Sequence, residues 1–250
     1  MAGWTTIPPS PFAYEREALG STVPVAATRS PDLVAPRVRH FPDSVRRPSG
    51  VPFAVERRGS RMSHLEQAEQ SPDTERMFDA DTKAMGYLPN YTRLFAHSPA
   101  VYLAWQQLNG AVKAEMELRR YELATLAAAR ALKSSYCGLA HGKVLRDKFF
   151  DAPTVAAIAS DHGSTGLSAQ EVAVVNFAGK VAADANSVIE ADIAGLRSHG
   201  LDDTEIFRVI LAVGARCFFS TVLSAAGAEP DPQYNESLDA DLRQALSFGG

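Results

Sequence analysis

Cys137 and His141 are the residues of this chain best spaced for chemistry. They fall in the stretch Ser134-Ser135-Tyr136-Cys137-Gly138-Leu139-Ala140-His141. An offset of four places thiol and imidazole on the same face of a helix. The helix opens close to Cys137, so the sulfur lies at the positive end of the macrodipole, which favours thiolate. The imidazole can take the proton. A thiol with an ordinary pKa of about 8.5 becomes a nucleophile near neutrality in such company. The competing reading is packing, because free cysteine is commonly a small core residue and Ala140 and Val144 continue the same face.

The elements that must hold this pair are helical. Ser71-Pro72 is an N-cap followed by proline at the first helical position, and that helix ends near Gly86. Ser98-Pro99 starts another, with Val101, Ala104, Trp105, Leu108 and Val112 as its apolar stripe. Residues 118–133 form an alanine-rich helix whose small side chains let neighbours approach closely. The helix bearing Cys137 runs from about Ser135 to Phe149. Ser168 with Glu171 makes a capping box, followed by a buried face of Val174, Phe177, Ala178 and Val181. Asp202 with Glu205 is a similar start. It opens a long helix with the stripe Ile206, Val209, Ile210, Val213 and Cys217, capped at Gly227. From about Glu236 the chain reads as a weakly held tail or short helix. No strand run or hairpin turn is evident, so the fold class is all-α.

Residues 1–61 differ from the rest. They hold nine of the fifteen prolines, no lysine, and nine arginines against five acids. That gives a charge of +4 and leaves −8 for the remainder of a chain whose formal net charge is −4. The segment reads as disordered, since it offers too little apolar surface to offset ordering entropy. It is either a basic arm for an acidic partner or sequence upstream of a true start at Met62. Residues 62–250 form one helical domain with its core at about 72–231. With 46% apolar residues the chain can bury one sizeable core. The acidic balance argues against nucleic acid as a partner. No apolar run of membrane length and no secretory h-region stand out, so no membrane partner and a cytoplasmic location are expected. Two cysteines 80 positions apart are neither a disulfide framework nor a zinc site. The scattered histidines (His40, His64, His97, His162, His199) have no ligand spacing, so neither metal nor cofactor is expected. Cys217, on an apolar stripe, reads as structural.

Extending backwards from Cys137 gives Glu-x11-Ser-x-x-Cys-x3-His, at Glu122, Ser134, Cys137 and His141. This resembles the alkylhydroperoxidase D-like, carboxymuconolactone decarboxylase family, whose peroxidase branch carries Glu-x11-Cys-x-x-Cys-x3-His. Gly86-Tyr87-Leu88-Pro89-Asn90 looks like that family's entry segment, and Ala226-Gly227-Ala228-Glu229-Pro230-Asp231 like its ending. The first cysteine of the motif is replaced by Ser134, and a histidine that often precedes the second is Tyr136.

The resemblance implies an all-α, homo-oligomeric protein, a trimer or a multiple of one, that reduces hydroperoxides at the expense of a thiol. Cys137 would attack the peroxide, with His141 as base and Glu122 as the acid orienting it. Tyr136 would be a hydrogen-bond donor near the thiol. A serine cannot form a disulfide, so the sulfenic acid would need an external thiol. Ser134 itself reads as the N-cap, accepting the Cys137 N–H. Two alternatives stay open: a lyase of the family's decarboxylase branch, needing only His and Glu, and a non-catalytic helical oligomer.

Overall fold

The computed structural model describes residues 62–161 and 166–248. The Pro/Arg-rich segment 1–61 and His162 lie outside the described residues. Among the described residues there are eleven α-helices, one 3₁₀ turn and no strand. The helices are α1 (Pro72–Met85), α2 (Asn90–Phe95), α3 (Pro99–Ala114), α4 (Leu118–Ala131), α5 (Ser135–Lys148) and α6 (Ala152–Asp161). They continue with α7 (Ala169–Ala183), α8 (Glu190–Ser198), α9 (Asp203–Ala225), α10 (Gln233–Ser237) and α11 (Ala240–Leu246).

The ends are set by local chemistry. Ser71 caps α1 by accepting the Thr74 N–H, and Gly86 closes it at φ 80°, in the left-handed region glycine tolerates. Ser168 with Glu171 and Asp202 with Glu205 form the capping boxes of α7 and α9. Gly227, at φ 65°, follows the last turn of α9.

α4 is the central helix and packs against α5, α7 and α9. Its residues from Tyr121 to Ala129 are all buried. A helix apolar on every side belongs inside a core, and its alanines give the neighbours room. Two expectations about faces change. On α3, Val101 and Leu108 are 45% and 51% exposed, and the buried side is Tyr102, Trp105, Asn109 and Val112. Trp105 and Val112 of the expected stripe are buried, but Tyr102 and Asn109 replace Val101, Ala104 and Leu108, because the covering aromatic cluster of Tyr91, Phe95 and Phe219 takes Tyr102 and Trp105. On α9 the buried line includes Val209, Val213, Arg216, Ser220 and Leu223, while Ile210 and Cys217 are only half-buried.

α9 is long and apolar enough, by length and composition alone, to cross a membrane. This corrects the expectation that no apolar run of membrane length stands out. In the fold α9 packs against α3, α4, α5 and α7. The C-terminal segment is not weakly held either. Leu242 and Leu246 of α11 are fully buried against α5 and α6. Gly138 and Gly142 make this contact: a Cβ on Gly142 would lie 2.4 Å from both Leu246 methyls. α11 therefore rests on the face of α5 next to Cys137 and His141.

Candidate active site

Glu122 is the fifth residue of α4, and His141 lies on the second turn of α5; the packing of these helices brings them together. Glu122 Oε2 is 2.6 Å from His141 Nδ1, and Thr125 Oγ1, one turn further along α4, is 3.1 Å from the same nitrogen. The Thr125 hydroxyl donates to the Tyr121 carbonyl, so it receives rather than gives at the imidazole. Two acceptors at Nδ1 assign the proton to that nitrogen and leave Nε2 as the basic one. The other carboxylate oxygen of Glu122 accepts from Lys113 Nζ of α3 at 3.1 Å. Glu122 is thus no first-turn acid facing solvent but a buried, doubly paired carboxylate.

Burial pulls the His141 pKa down to about 4, and Arg216 adds to the effect against the opposing pull of Glu122. The imidazole is neutral at pH 7 and competent as a base. Burial would raise Glu122, but His141 and Lys113 outweigh it and hold the carboxyl below its ordinary value. Cys137 is 1% exposed and His141 8%, so both groups are buried.

The sulfur's own partners come from elsewhere. Ser220 Oγ donates to Cys137 Sγ at 3.2 Å, and Arg216 Nη1 lies 3.5 Å from it. Both belong to α9, 83 and 79 residues away in sequence. Among the described residues no hydrogen bond joins Cys137 to His141. Sequence reasoning missed Arg216 and Ser220. The available signal was a cation inside the buried line of α9, at the 4-3-4-3 spacing of Val209, Val213, Arg216, Ser220 and Leu223. A charge on an apolar face needs a buried partner.

The two supporting residues are placed differently from expectation. Tyr136 does not address the thiol. Its hydroxyl donates to Asp231 Oδ2 at 2.6 Å and accepts the Tyr91 N–H. Burial, with Asp231 beside it, raises its pKa far above the ordinary value. Asp231 also takes the Asn90 N–H at 2.7 Å, so the Gly86–Asn90 and Ala226–Asp231 segments meet here and anchor the first turn of α5. Ser134 occupies the N-cap position of α5 but makes no side-chain cap bond. Its backbone, at φ −91° and ψ 93°, lies well off the ψ of 157° and 170° seen at the capping residues Ser168 and Asp202. Cys217 is free and half-buried, and burial raises its pKa. Among the described residues no three His, Cys, Asp or Glu side chains converge as a metal site would need.

The protein's likeness to others is one of shape. No family model and no curated protein matches the sequence. Among solved structures, the alkylhydroperoxidase AhpD core of an uncharacterized peroxidase-related protein from Ralstonia eutropha JMP134 aligns with a TM-score of 0.64 at 21% identity, over 70% of this chain and 95% of that one. The chain has the alkylhydroperoxidase D-like fold. An uncharacterized peroxidase-related protein from Silicibacter sp. TM1040 aligns equally well, with the same TM-score and coverage at 22% identity. The debrominase Bmp8 aligns with a TM-score of 0.60 at 14% identity, over 74% of this chain and all of that one. The same scaffold therefore occurs among proteins described by different activities.

Proposed function

We propose that this chain is a one-cysteine, thiol-dependent peroxidase acting on hydroperoxides. The observation that carries the reading is the 2.6 Å contact from Glu122 to His141 Nδ1. It orients the imidazole with its proton on Nδ1 and leaves Nε2 as the basic nitrogen, one helical turn from a cysteine in the same buried site. The Cys137 thiolate attacks the terminal peroxide oxygen. An S–O bond forms, the O–O bond breaks, and the alkoxide leaves as alcohol with the proton His141 had taken from the thiol. Cys137 becomes a sulfenic acid. With serine at position 134, an external thiol condenses with it, releasing water, and a second thiol frees Cys137 as the reductant's disulfide departs. We further propose that the chain works in the cytoplasm as a homo-oligomer. The exposed Val101, Leu108, Phe207, Leu211 and Phe218, on the mutually packed helices α3 and α9, support the oligomer.

Limited hydroperoxide should add about 16 Da to the protein at Cys137, trappable with dimedone, and an added thiol should give turnover that Cys137→Ser abolishes. A Cys137 left unmodified by sub-millimolar peroxide ends this reading. One observation favours a second. The Glu122–His141 relay makes no hydrogen bond to the sulfur, so it can transfer protons without it, as a decarboxylase-type lyase requires. Such an enzyme would keep its activity in Cys137→Ser and lose it in His141→Ala. A protein silent in both assays would be a helical scaffold.

A further inference from the structure

Arg216 is a buried cation with an incomplete set of partners. It is 4% exposed, and among the described residues no carboxylate lies within ion-pair reach of it. Its Nε–H is buried without a hydrogen-bond acceptor. The acid of this cluster, Glu122, is already engaged by Lys113 and His141. Around the sulfur the formal charges of Arg216, Lys113 and Glu122 leave one positive charge in excess when Cys137 is a thiol and none when it is a thiolate. A buried cation without a counter-ion is costly. The atom closest to supplying that negative charge is Cys137 Sγ, 3.5 Å from Nη1, with the Ser220 hydroxyl donating to the same sulfur at 3.2 Å.

We propose that Arg216 and Ser220 form an anion cradle that holds Cys137 as its thiolate, so that Arg216, and not His141, sets the charge of the sulfur. This inference rests on Cys137 being the reactive group of the site but requires no peroxide chemistry. Two features agree with it. Burial alone would depress the Arg216 guanidinium, yet the neighbouring Cys137 and Tyr121 outweigh burial and hold it above its ordinary value. Ser220, fully buried, has a hydroxyl that donates to sulfur rather than back to the helix backbone. The titratable groups around the sulfur are Tyr121 and Glu122 on α4, His141 on α5, Lys113 on α3, Arg216 on α9 and Tyr234 on α10.

The test is the pH profile of Cys137 methylthiolation by a small thiol reagent, methyl methanethiosulfonate, which forms a mixed disulfide and releases methanesulfinate, in the full chain carrying Cys217→Ser so that one thiol reports. The parent should react as a thiolate at neutral pH. Arg216→Met should move the midpoint of the profile upward by about one to two pH units and slow the reaction at pH 7 about tenfold or more. Arg216→Lys should recover part of that, and Ser220→Ala should give a smaller slowing of about threefold. All variants should converge at alkaline pH, which shows that access to the sulfur is unchanged. If Arg216→Met does not fold, Arg216→Lys and Ser220→Ala carry the test. A midpoint that stays put in the Arg216 variants and moves in His141→Asn overturns the proposal. Methylthiolation needs no peroxide, so a failure to form sulfenic acid would sink the peroxidase reading and leave this one standing.

Discussion

Acidification should destabilise this protein through His141 before its depressed carboxyls titrate. The imidazole falls from an ordinary 6.5 to about 4 on folding, chiefly because it is buried. Between those values the unfolded chain binds a proton that the folded chain refuses. Stability therefore falls as pH falls, with the loss beginning below 6.5 and complete near 4. At about pH 5 the unfolded histidine is almost wholly protonated and the folded one almost wholly neutral, a penalty of about 2 kcal/mol relative to pH 7. This window lies above the depressed carboxyls of Glu122, Asp147, Glu171 and Glu205, whose contributions disappear only at lower pH. Asp231, raised by burial, has the opposite sign: it protonates more readily when folded and adds stability as pH falls. Urea unfolding of the parent and of His141→Asn at about pH 7 and about pH 5 exposes the effect, since groups not coupled to His141 cancel in the difference of differences. The parent should lose about 2 kcal/mol more than the variant over this interval. Equal losses would mean that folding does not depress the His141 pKa, and the argument from its burial would fall.

Other expectations follow from particular contacts. Glu122→Gln should slow sulfenic acid formation by about 10²-fold, because the imidazolium formed at His141 loses its counter-charge; stopped-flow measurement within threefold of the parent would refute the relay. Ser134→Ala should change stability by less than about 0.5 kcal/mol, since Ser134 makes no cap bond, while Ser168→Ala should cost about 1 kcal/mol; urea midpoints decide it. Gly142→Ala should destabilise by about 1–2 kcal/mol, the crowding against Leu246 outweighing the gain in helix propensity. In a Leu246→Ala background the same change should turn stabilising, and one sign in both backgrounds would show that α11 does not bear on α5. Ser134→Cys should let peroxide-treated protein resolve internally, with a loss of about 2 Da on intact mass and no need for a small thiol to protect Cys137 from over-oxidation.

Much of the helical framework was legible without a structure because helix ends are local. Ser71-Pro72, the Ser168/Glu171 and Asp202/Glu205 boxes and the glycines at 86 and 227 act over three or four residues, and each stands where its pattern placed it. The pairing of Glu122 with His141 was also within reach, through a motif carried by two consecutive helices. What the sequence did not contain was the partner of each face. Periodicity puts Trp105 and Val112 on the inner side of α3; only the aromatic cluster beneath it decides that Tyr102 goes in while Val101 and Leu108 stay out. Ser134 had the right residue type for a cap but not the backbone angles, which the turn from α4 imposes. Beyond Glu236 the local pattern allows a weakly held tail or a short helix; the space that Gly138 and Gly142 leave open decides for a helix, α11, buried against α5. The sulfur's surroundings show this most plainly. By itself the sequence determined a reactive pair on one turn of one helix, because i and i+4 are neighbours in any helix. The tertiary structure alone decided that the thiol's own contacts are Arg216 and Ser220, because a contact spanning some eighty residues exists only once α9 has packed across α5, and no local spacing encodes which buried charge will meet which buried sulfur.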